Sequence, residues 1–384
     1  MAVVWVERDG AAGQPVEPGG PDEGALGDVA AAARAVLPAD VWGYFQGGSG
    51  AERTLRSNRT AFDRVALRPR VLVDVSSISL RTSVFGVDWA VPFGVAPMAY
   101  HRLAHPEGEV ASAGAAGAVG AAFVSSIFAS RTFADMAAAT PGPRWQQLYW
   151  LRNRDAFADV IARTEESGAG ALVLTVDAPR VASRPRDLGS SFVLPDDVQA
   201  VNVDPAVMGS THAVAAGTSA IQRHSAERFD QSVTWADLPW LRARTSLPLL
   251  LKGVLTEEDA RLAVEHGVDG LIVSNHGGRQ LDAALPSLAA LPAIVDAVPA
   301  SVPVLLDGGI RRGSDVFAAL ALGARAVLVG RPVLWGLAAG GQAGATAVLQ
   351  LLAEQLEECL LLAGRPTIDS LDRTAVAVAA TGWH

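Results

Sequence analysis

From Val91 onward the chain alternates short, continuously apolar runs with longer stretches that mix apolar and polar positions. The runs are Pro92–Ala96, Ala122–Ser126, Trp145–Trp150, Ala171–Asp177, Leu249–Gly253, Gly270–Ser274, Val302–Asp307 and Ala326–Gly330. Continuous rather than alternating hydrophobicity marks strands buried on both faces, as in a parallel sheet. The intervening stretches read as helices, for example Glu107–Ala118, Arg154–Ser167, Glu257–His266 and Arg312–Ala321. Thr256 with Asp259 resembles a capping box with Asp in place of Glu, and Ser314 with Asp315 lies near another helix start. Eight strand–helix units over roughly 250 residues predict an α/β fold, a closed (β/α)8 TIM barrel. No GxGxxG follows the first strand, which removes the main support for an open doubly wound sheet.

The flanking pattern predicts a helical extension and a lid. Residues 1–24 are rich in Gly, Pro and acidic side chains without periodicity, and read as a mobile tail ahead of a single domain over 25–384. Asp28 is placed to cap a helix through Val29–Val36. Pro38 can open a second helix, carrying Val41, Trp42, Tyr44 and Phe45 and ended by the glycines from Gly47. The connection from about 179 to 233 far exceeds a normal strand–helix loop, so it is expected to be a lid, with Phe192–Pro195 as a short hairpin strand.

Composition narrows the partners. A net charge of −9 without a basic cluster argues against nucleic acid and anionic membranes, leaving small molecules. No segment reads as transmembrane, and the first residues lack the basic start and apolar core of a signal peptide. With Cys359 as the only cysteine there is no disulfide framework, and a reducing cytoplasm is the expected location. Thirty of the 31 basic residues are arginine, so Lys252 is the only lysine and it ends a strand-like run. A coding bias explains the arginines. The exception is better explained by a position that needs a compact ammonium.

In such a barrel chemistry collects at the C-terminal ends of the strands. Those ends carry Pro97 and Ala99; Ser126; Gln147 and Tyr149; Thr175 and Asp177; Lys252; Ser274, His276 and Arg279; Asp307, Gly309 and Arg311; and Gly330 with Arg331. Each alone has a bland reading as a cap or turn residue, and Tyr44 alone reads as a core aromatic. Polar or special residues at all eight ends are hard to explain as structure. His276 can move a proton near neutral pH, and Arg279, three residues on across paired glycines, suits a carboxylate or phosphate. The glycine–arginine turns after the last two strands sit at the usual barrel phosphate site. Ser126, Gln147 and Thr175 are neutral groups suited to the edge of a planar heterocycle, and Lys252 would place positive charge where such a ring becomes anionic. His101 and His105 lack metal-site spacing, so no metal is expected.

The run Ser274–Asp282, SNHGGRQLD, is similar to the signature of the FMN-dependent 2-hydroxy-acid oxidases and dehydrogenases, the group of glycolate oxidase, lactate oxidase and mandelate dehydrogenase. The resemblance extends from about Leu37 to Ala363 through NRxAF at Asn58–Phe62, AHPEGE at Ala104–Glu109, QLY at Gln147–Tyr149, TVDAPR at Thr175–Arg180, LKGV at Leu251–Val254 and DGGIRRGSDV at Asp307–Val316. It implies that His276 is the catalytic base, paired with Asp177. Tyr44, Tyr149, Arg184 and Arg279 would hold the substrate's carboxylate and hydroxyl, with Tyr149 counted in the catalytic set. FMN would be held by Pro97, Ala99, Ser126, Gln147, Thr175, Lys252, Ser274, Asp307, Gly309, Arg311, Gly330 and Arg331. The resemblance also implies a homo-oligomer, a tetramer.

Ala182–Pro185 departs from the family's Gly-Arg-Arg, and Ser190–Ser191 stands where Asn-Arg is common, so the lid base leaves substrate choice open. Among the branches, APMAYHRLAHPEGE, QLYWLR and GTSAIQRHSAERF look most like the actinobacterial 4-hydroxymandelate oxidases. The expected reaction is oxidation of an (S)-2-hydroxy acid, mandelate or 4-hydroxymandelate, to the 2-oxo acid with oxygen as acceptor. A hydride and a carbanion route would use the same residues. The alternatives are a small aliphatic acid such as glycolate or lactate, an unusual biosynthetic carboxylate, a non-oxygen acceptor, or a barrel that only binds a phosphate ligand.

Overall fold

A computed structural model describes residues 25–186, 192–203 and 228–379. Eight parallel strands close into a barrel: β1 (Phe93–Val95), β2 (Ala122–Ser125), β3 (Arg144–Leu148), β4 (Leu172–Thr175), β5 (Leu249–Val254), β6 (Gly270–Val273), β7 (Val304–Asp307) and β8 (Ala326–Val329). Their order around the barrel follows the chain, with β8 paired to β1, and all eight expected runs become strands. Helices follow as expected over Glu109–Val119, Arg154–Glu166, Glu257–Glu265 and Gly313–Ala321. Thr256 caps the third of these by accepting the N–H of Asp259.

The barrel interior explains where polar chemistry can sit. Side chains alternate along each strand, so residues two apart face the same way. Val124, Trp145, Val173, Leu250, Ile272, Leu305 and Leu328 pack together inside the barrel. Two positions beyond each lies Ser126, Gln147, Thr175, Lys252, Ser274, Asp307 and Gly330. The inward stripe therefore changes from apolar to polar or glycine in one layer at the C-terminal mouth. The other end is plugged by the hairpin Thr82–Val84/Val87–Trp89, whose fully buried Trp89 packs 5.2 Å from Trp145, ring centre to ring centre.

Two local expectations are corrected. The first helix is Ala25–Val36, and Asp28 lies in its first turn, not at a cap, since the helix begins before it. Phe192–Pro195 forms no strand; the ring of Phe192 stacks 4.7 Å from Tyr44, so packing, not sheet pairing, orders it. Ser314 and Asp315 do stand at a helix start, in the first turn of Gly313–Ala321, where Asp315 Oδ2 accepts the N–H of the N-cap residue Arg312 at 3.0 Å. The tail at 1–24, Ser190–Ser191 and most of the segment compared with the lid lie outside the described residues. Among the described residues no helix is long and apolar enough to cross a membrane.

Candidate active site

The strand order brings the candidate residues around one cleft of about 1110 Å³, counted out to solvent. Pro97, Ala99, Ser126, Gln147, Tyr149, Thr175, Arg184, Lys252, His276, Arg279, Asp307, Gly309, Arg311, Gly330, Arg331 and Tyr44 all line it. Asp177 lies one layer behind His276, and Ser274 lies fully buried beneath the His276 turn. Ser274 is thus more than a cleft residue: its hydroxyl accepts from Lys252 Nζ at 2.7 Å and from the His276 N–H at 3.0 Å.

His276 carries the strongest geometry. Its Nδ1 is 3.0 Å from Asp177 Oδ1 and its Nε2 is 3.4 Å from the Tyr149 hydroxyl. With the proton on Nδ1 shared with Asp177, Nε2 faces the cleft as an acceptor, and Tyr149 donates to it. Burial, with Lys252 and Arg184 adding to it, lowers the His276 pKa below the ordinary histidine value despite the opposing pull of Asp177, so the ring is neutral near pH 7. Burial pushes Asp177 upward, but His276 and Lys252 outweigh it and hold the carboxyl below its usual range. Tyr149 is pushed up by burial and by Asp177, and stays a donor.

Lys252 stands beside Thr175 in strand register and its Nζ is 2.9 Å from Asp307 Oδ2. Burial pulls its pKa down, but Asp307 and Asp177 outweigh burial and raise it. Opposite, Gln147 accepts from Ser126 Oγ at 3.2 Å and from the Ile127 N–H at 3.3 Å, and donates to Thr175 Oγ1 at 3.0 Å. The Gly308–Gly309 turn is left-handed at both residues, and a Cβ on Gly309 would sit 2.5 Å from the Asn58 carbonyl oxygen. Only glycine fits there.

The cleft is a concentration of positive charge. Among the described residues its lining carries Lys252, Arg184, Arg279, Arg311 and Arg331 against one carboxylate, Asp307. Burial and then Arg279, Arg311 and Arg184 hold Arg331 well below the ordinary arginine range. Such crowding favours anions. Arg279 also braces the fold, since its Nη1 donates to the carbonyls of Tyr44 and Gly47, both at 2.7 Å, and so pins the N-terminal segment over the cleft.

Asn58, Asn275, Gln280 and Asp282, to which local pattern assigns no role, hold the loops. Gln280 donates to the carbonyls of Asp177 and Arg180, at 3.1 and 2.9 Å, and accepts from Ala182 N at 3.0 Å, tying the lid base to the His276 loop. Asp282 accepts from the N–H groups of Ala51 and Thr54. Phe128 and Phe229 likewise carry no signal in the sequence; Phe229 stacks on Tyr149 with centroids 4.5 Å apart. Among the described residues no group of His, Cys, Asp and Glu could hold a metal, and His101 is buried against Ser112 at 2.9 Å.

Comparison with known proteins gives concordant matches. The family described as FMN-dependent dehydrogenase matches residues 33–378. A 4-hydroxymandelate oxidase from Amycolatopsis orientalis is 45% identical over 91% of this chain and 96% of its own length. A peroxisomal (S)-2-hydroxyacid oxidase from Arabidopsis thaliana is 44% identical over 90% of this chain and 93% of its own. A crystal structure of mandelate oxidase with (S)-4-hydroxymandelic acid superposes with a TM-score of 0.89 at 44% identity, covering 93% of this chain and 99% of that one.

Proposed function

The chain belongs to the FMN-dependent dehydrogenase family, and we propose that it oxidises an (S)-2-hydroxy acid of the mandelate class to the 2-oxo acid, with oxygen as the final acceptor. The observation that carries this reading is His276, held by Asp177 at Nδ1 with Nε2 toward the Tyr149 hydroxyl in a cleft lined by arginines.

The residues present fit FMN. Asp307 Oδ1 is a buried oxygen without a hydrogen-bond partner, as a cofactor hydroxyl would require, and Lys252 sits beside it. Arg311, Arg331 and the Gly308–Gly309 turn would take the phosphate; Ser126, Gln147 and Thr175 the ring edge; Pro97 and Ala99 the ring face; Ser274 would support Lys252 from below, and Gly330 leaves room for the backbone to approach. Bound there, FMN would supply the two-electron acceptor for the α-hydrogen, and Lys252 would stabilise the charge that results.

The chain's own residues supply orientation and proton transfer. Arg184 and Arg279, with Tyr44, would hold the substrate carboxylate; Tyr149 would donate to the substrate oxygen; and His276 Nε2 would take the hydroxyl proton. Asp177, ionised behind the ring, stabilises the imidazolium that forms. The aromatic walls Tyr44, Phe128 and Tyr149, with Met98 and Val181 nearby, favour an apolar or aromatic side chain over glycolate. The similarity to the 4-hydroxymandelate and mandelate oxidases supports the same class. Turnover of a panel of 2-hydroxy acids with peroxide detection tests this. A higher kcat/KM for (S)-mandelate than for glycolate or lactate is expected, and the reverse order would overturn the substrate assignment. We read the protein as a cytoplasmic homo-oligomer, a tetramer by likeness to its family, which sedimentation of the purified protein would test.

A further inference from the structure

The motif Asn58-Arg59 takes no part in the reaction described above, yet it lies between the two loops that carry the site. Asn58 and Arg59 sit in the helix Arg53–Thr60, far from His276 in sequence. His276, Gly277 and Gly278 are three consecutive left-handed residues, with φ of 60°, 62° and 76°. A histidine adopts that conformation only when its surroundings hold it. One support is Ser274, which takes the His276 N–H. The other is Asn275, whose Oδ1 accepts the Gly278 N–H at 3.1 Å and so closes the turn around His276.

Asn275 is itself held by Asn58 through a reciprocal amide pair. Asn58 Nδ2 donates to Asn275 Oδ1 at 2.8 Å, and Asn275 Nδ2 donates to Asn58 Oδ1 at 2.7 Å. Both amides are buried, at 2% and 3% exposure, so water cannot replace either bond. The same helix is fixed at its start by Asp282 of the His276 loop, and its backbone packs against Gly309. Arg59 bonds the Gly309 carbonyl and reaches Asp315 Oδ2 at 2.7 Å.

We propose that Asn58 is a positioning residue for the base: its amide pair with Asn275 fixes the left-handed turn that aims His276 Nε2 at the substrate. The proposal rests on the 2-hydroxy-acid oxidase reading only for its kinetic arm. Without Asn58 the Asn275 amide keeps its bonds to the Gly278 N–H and, at 2.9 Å, to the Leu285 carbonyl but loses both bonds of the reciprocal pair, so one buried Nδ2 hydrogen is left without a partner and the turn can relax, withdrawing Nε2 without emptying the cleft.

The test compares wild-type holoenzyme with Asn58→Ala and Asn58→Asp, the latter keeping the acceptor toward Asn275 Nδ2 but losing the donor to Asn275 Oδ1. Anaerobic stopped-flow reduction by (S)-mandelate, FMN affinity, substrate affinity and backbone hydrogen exchange over residues 275–282 are measured together. Both variants are expected to reduce flavin at least about tenfold more slowly, with FMN and substrate affinities within about threefold of wild type. Exchange at 276–282 is expected to quicken. Wild-type reduction rates with wild-type exchange would overturn the proposal, as would loss of FMN or substrate affinity in step with the rate. Insoluble protein from both variants would assign Asn58 to folding instead, which also overturns it. If no 2-hydroxy acid reduces even the wild type, the functional reading fails, and the exchange arm still decides whether Asn58 holds the turn.

Discussion

Replacing Asp177 by asparagine isolates the charge behind the imidazole from its shape. Asp177 Oδ1 is 3.0 Å from His276 Nδ1, and its carboxylate does not line the cleft, so FMN should bind the variant as before. The amide can still accept the Nδ1 proton, but the bond to the developing imidazolium is no longer ion-assisted. A hydrogen bond to a charged group contributes about 1.5–3 kcal/mol. That loss slows reduction by about ten- to a hundredfold. The pH dependence has a defined sign. Burial and the neighbouring cations lower the His276 pKa, and Asp177 is the group that raises it. The base is active when neutral, so the acid limb of the reduction rate lies below the ordinary histidine value in wild type. Removing the carboxylate lowers that pKa further and moves the limb to still lower pH, while the plateau falls. Anaerobic stopped-flow reduction across pH measures both. An unchanged plateau, or a limb that moves upward, would refute the role given to Asp177.

Three further outcomes follow from the geometry. His276→Asn should keep the FMN content and lose flavin reduction by at least about 10²–10⁴, and unchanged anaerobic reduction would refute the base assignment. Gly253→Ala, at φ 111° with its Cβ only 2.5 Å from Asp177 Cβ, should displace the carboxylate and mimic Asp177→Asn with FMN affinity unchanged; wild-type kinetics would show the contact to be harmless. Lys252→Arg forces a planar guanidinium between Ser274 Oγ and Asp307 Oδ2, so the flavin midpoint potential or FMN affinity should fall and reduction slow at least tenfold, about 1.4 kcal/mol. Potentiometry and a fluorescence titration of FMN read the last, and wild-type values in both would overturn it.

The barrel was legible because burial on both faces writes itself as unbroken apolar runs, and the polar layer at its mouth follows from period two within each run. His276, Asp177 and Lys252 could be found because each stands at the end of such a run. Asn58 and Asp282 could not be given roles, since buried amides and capping carboxylates look like ordinary helix and turn residues until distant segments meet. Their partners, Asn275 and Thr54, lie more than two hundred positions away. Phe192 misled for a related reason: its apolar neighbours suggested a strand, whereas stacking on Tyr44 decided its place. Arg279 reads in sequence as a ligand for anions alone, and its bonds to the Tyr44 and Gly47 carbonyls depend on a fold-back that local pattern does not encode.

The central claim is that a 2-hydroxy acid gives up its α-hydrogen at this cleft under the control of His276. Anaerobic mixing of the purified FMN-loaded protein with (S)-mandelate, followed by admission of air, tests it most directly. Bleaching of the flavin absorbance with one 2-oxo acid formed per FMN, and recovery with peroxide release in air, is the expected result. A protein that binds FMN fully and is bleached by no 2-hydroxy acid would contradict it.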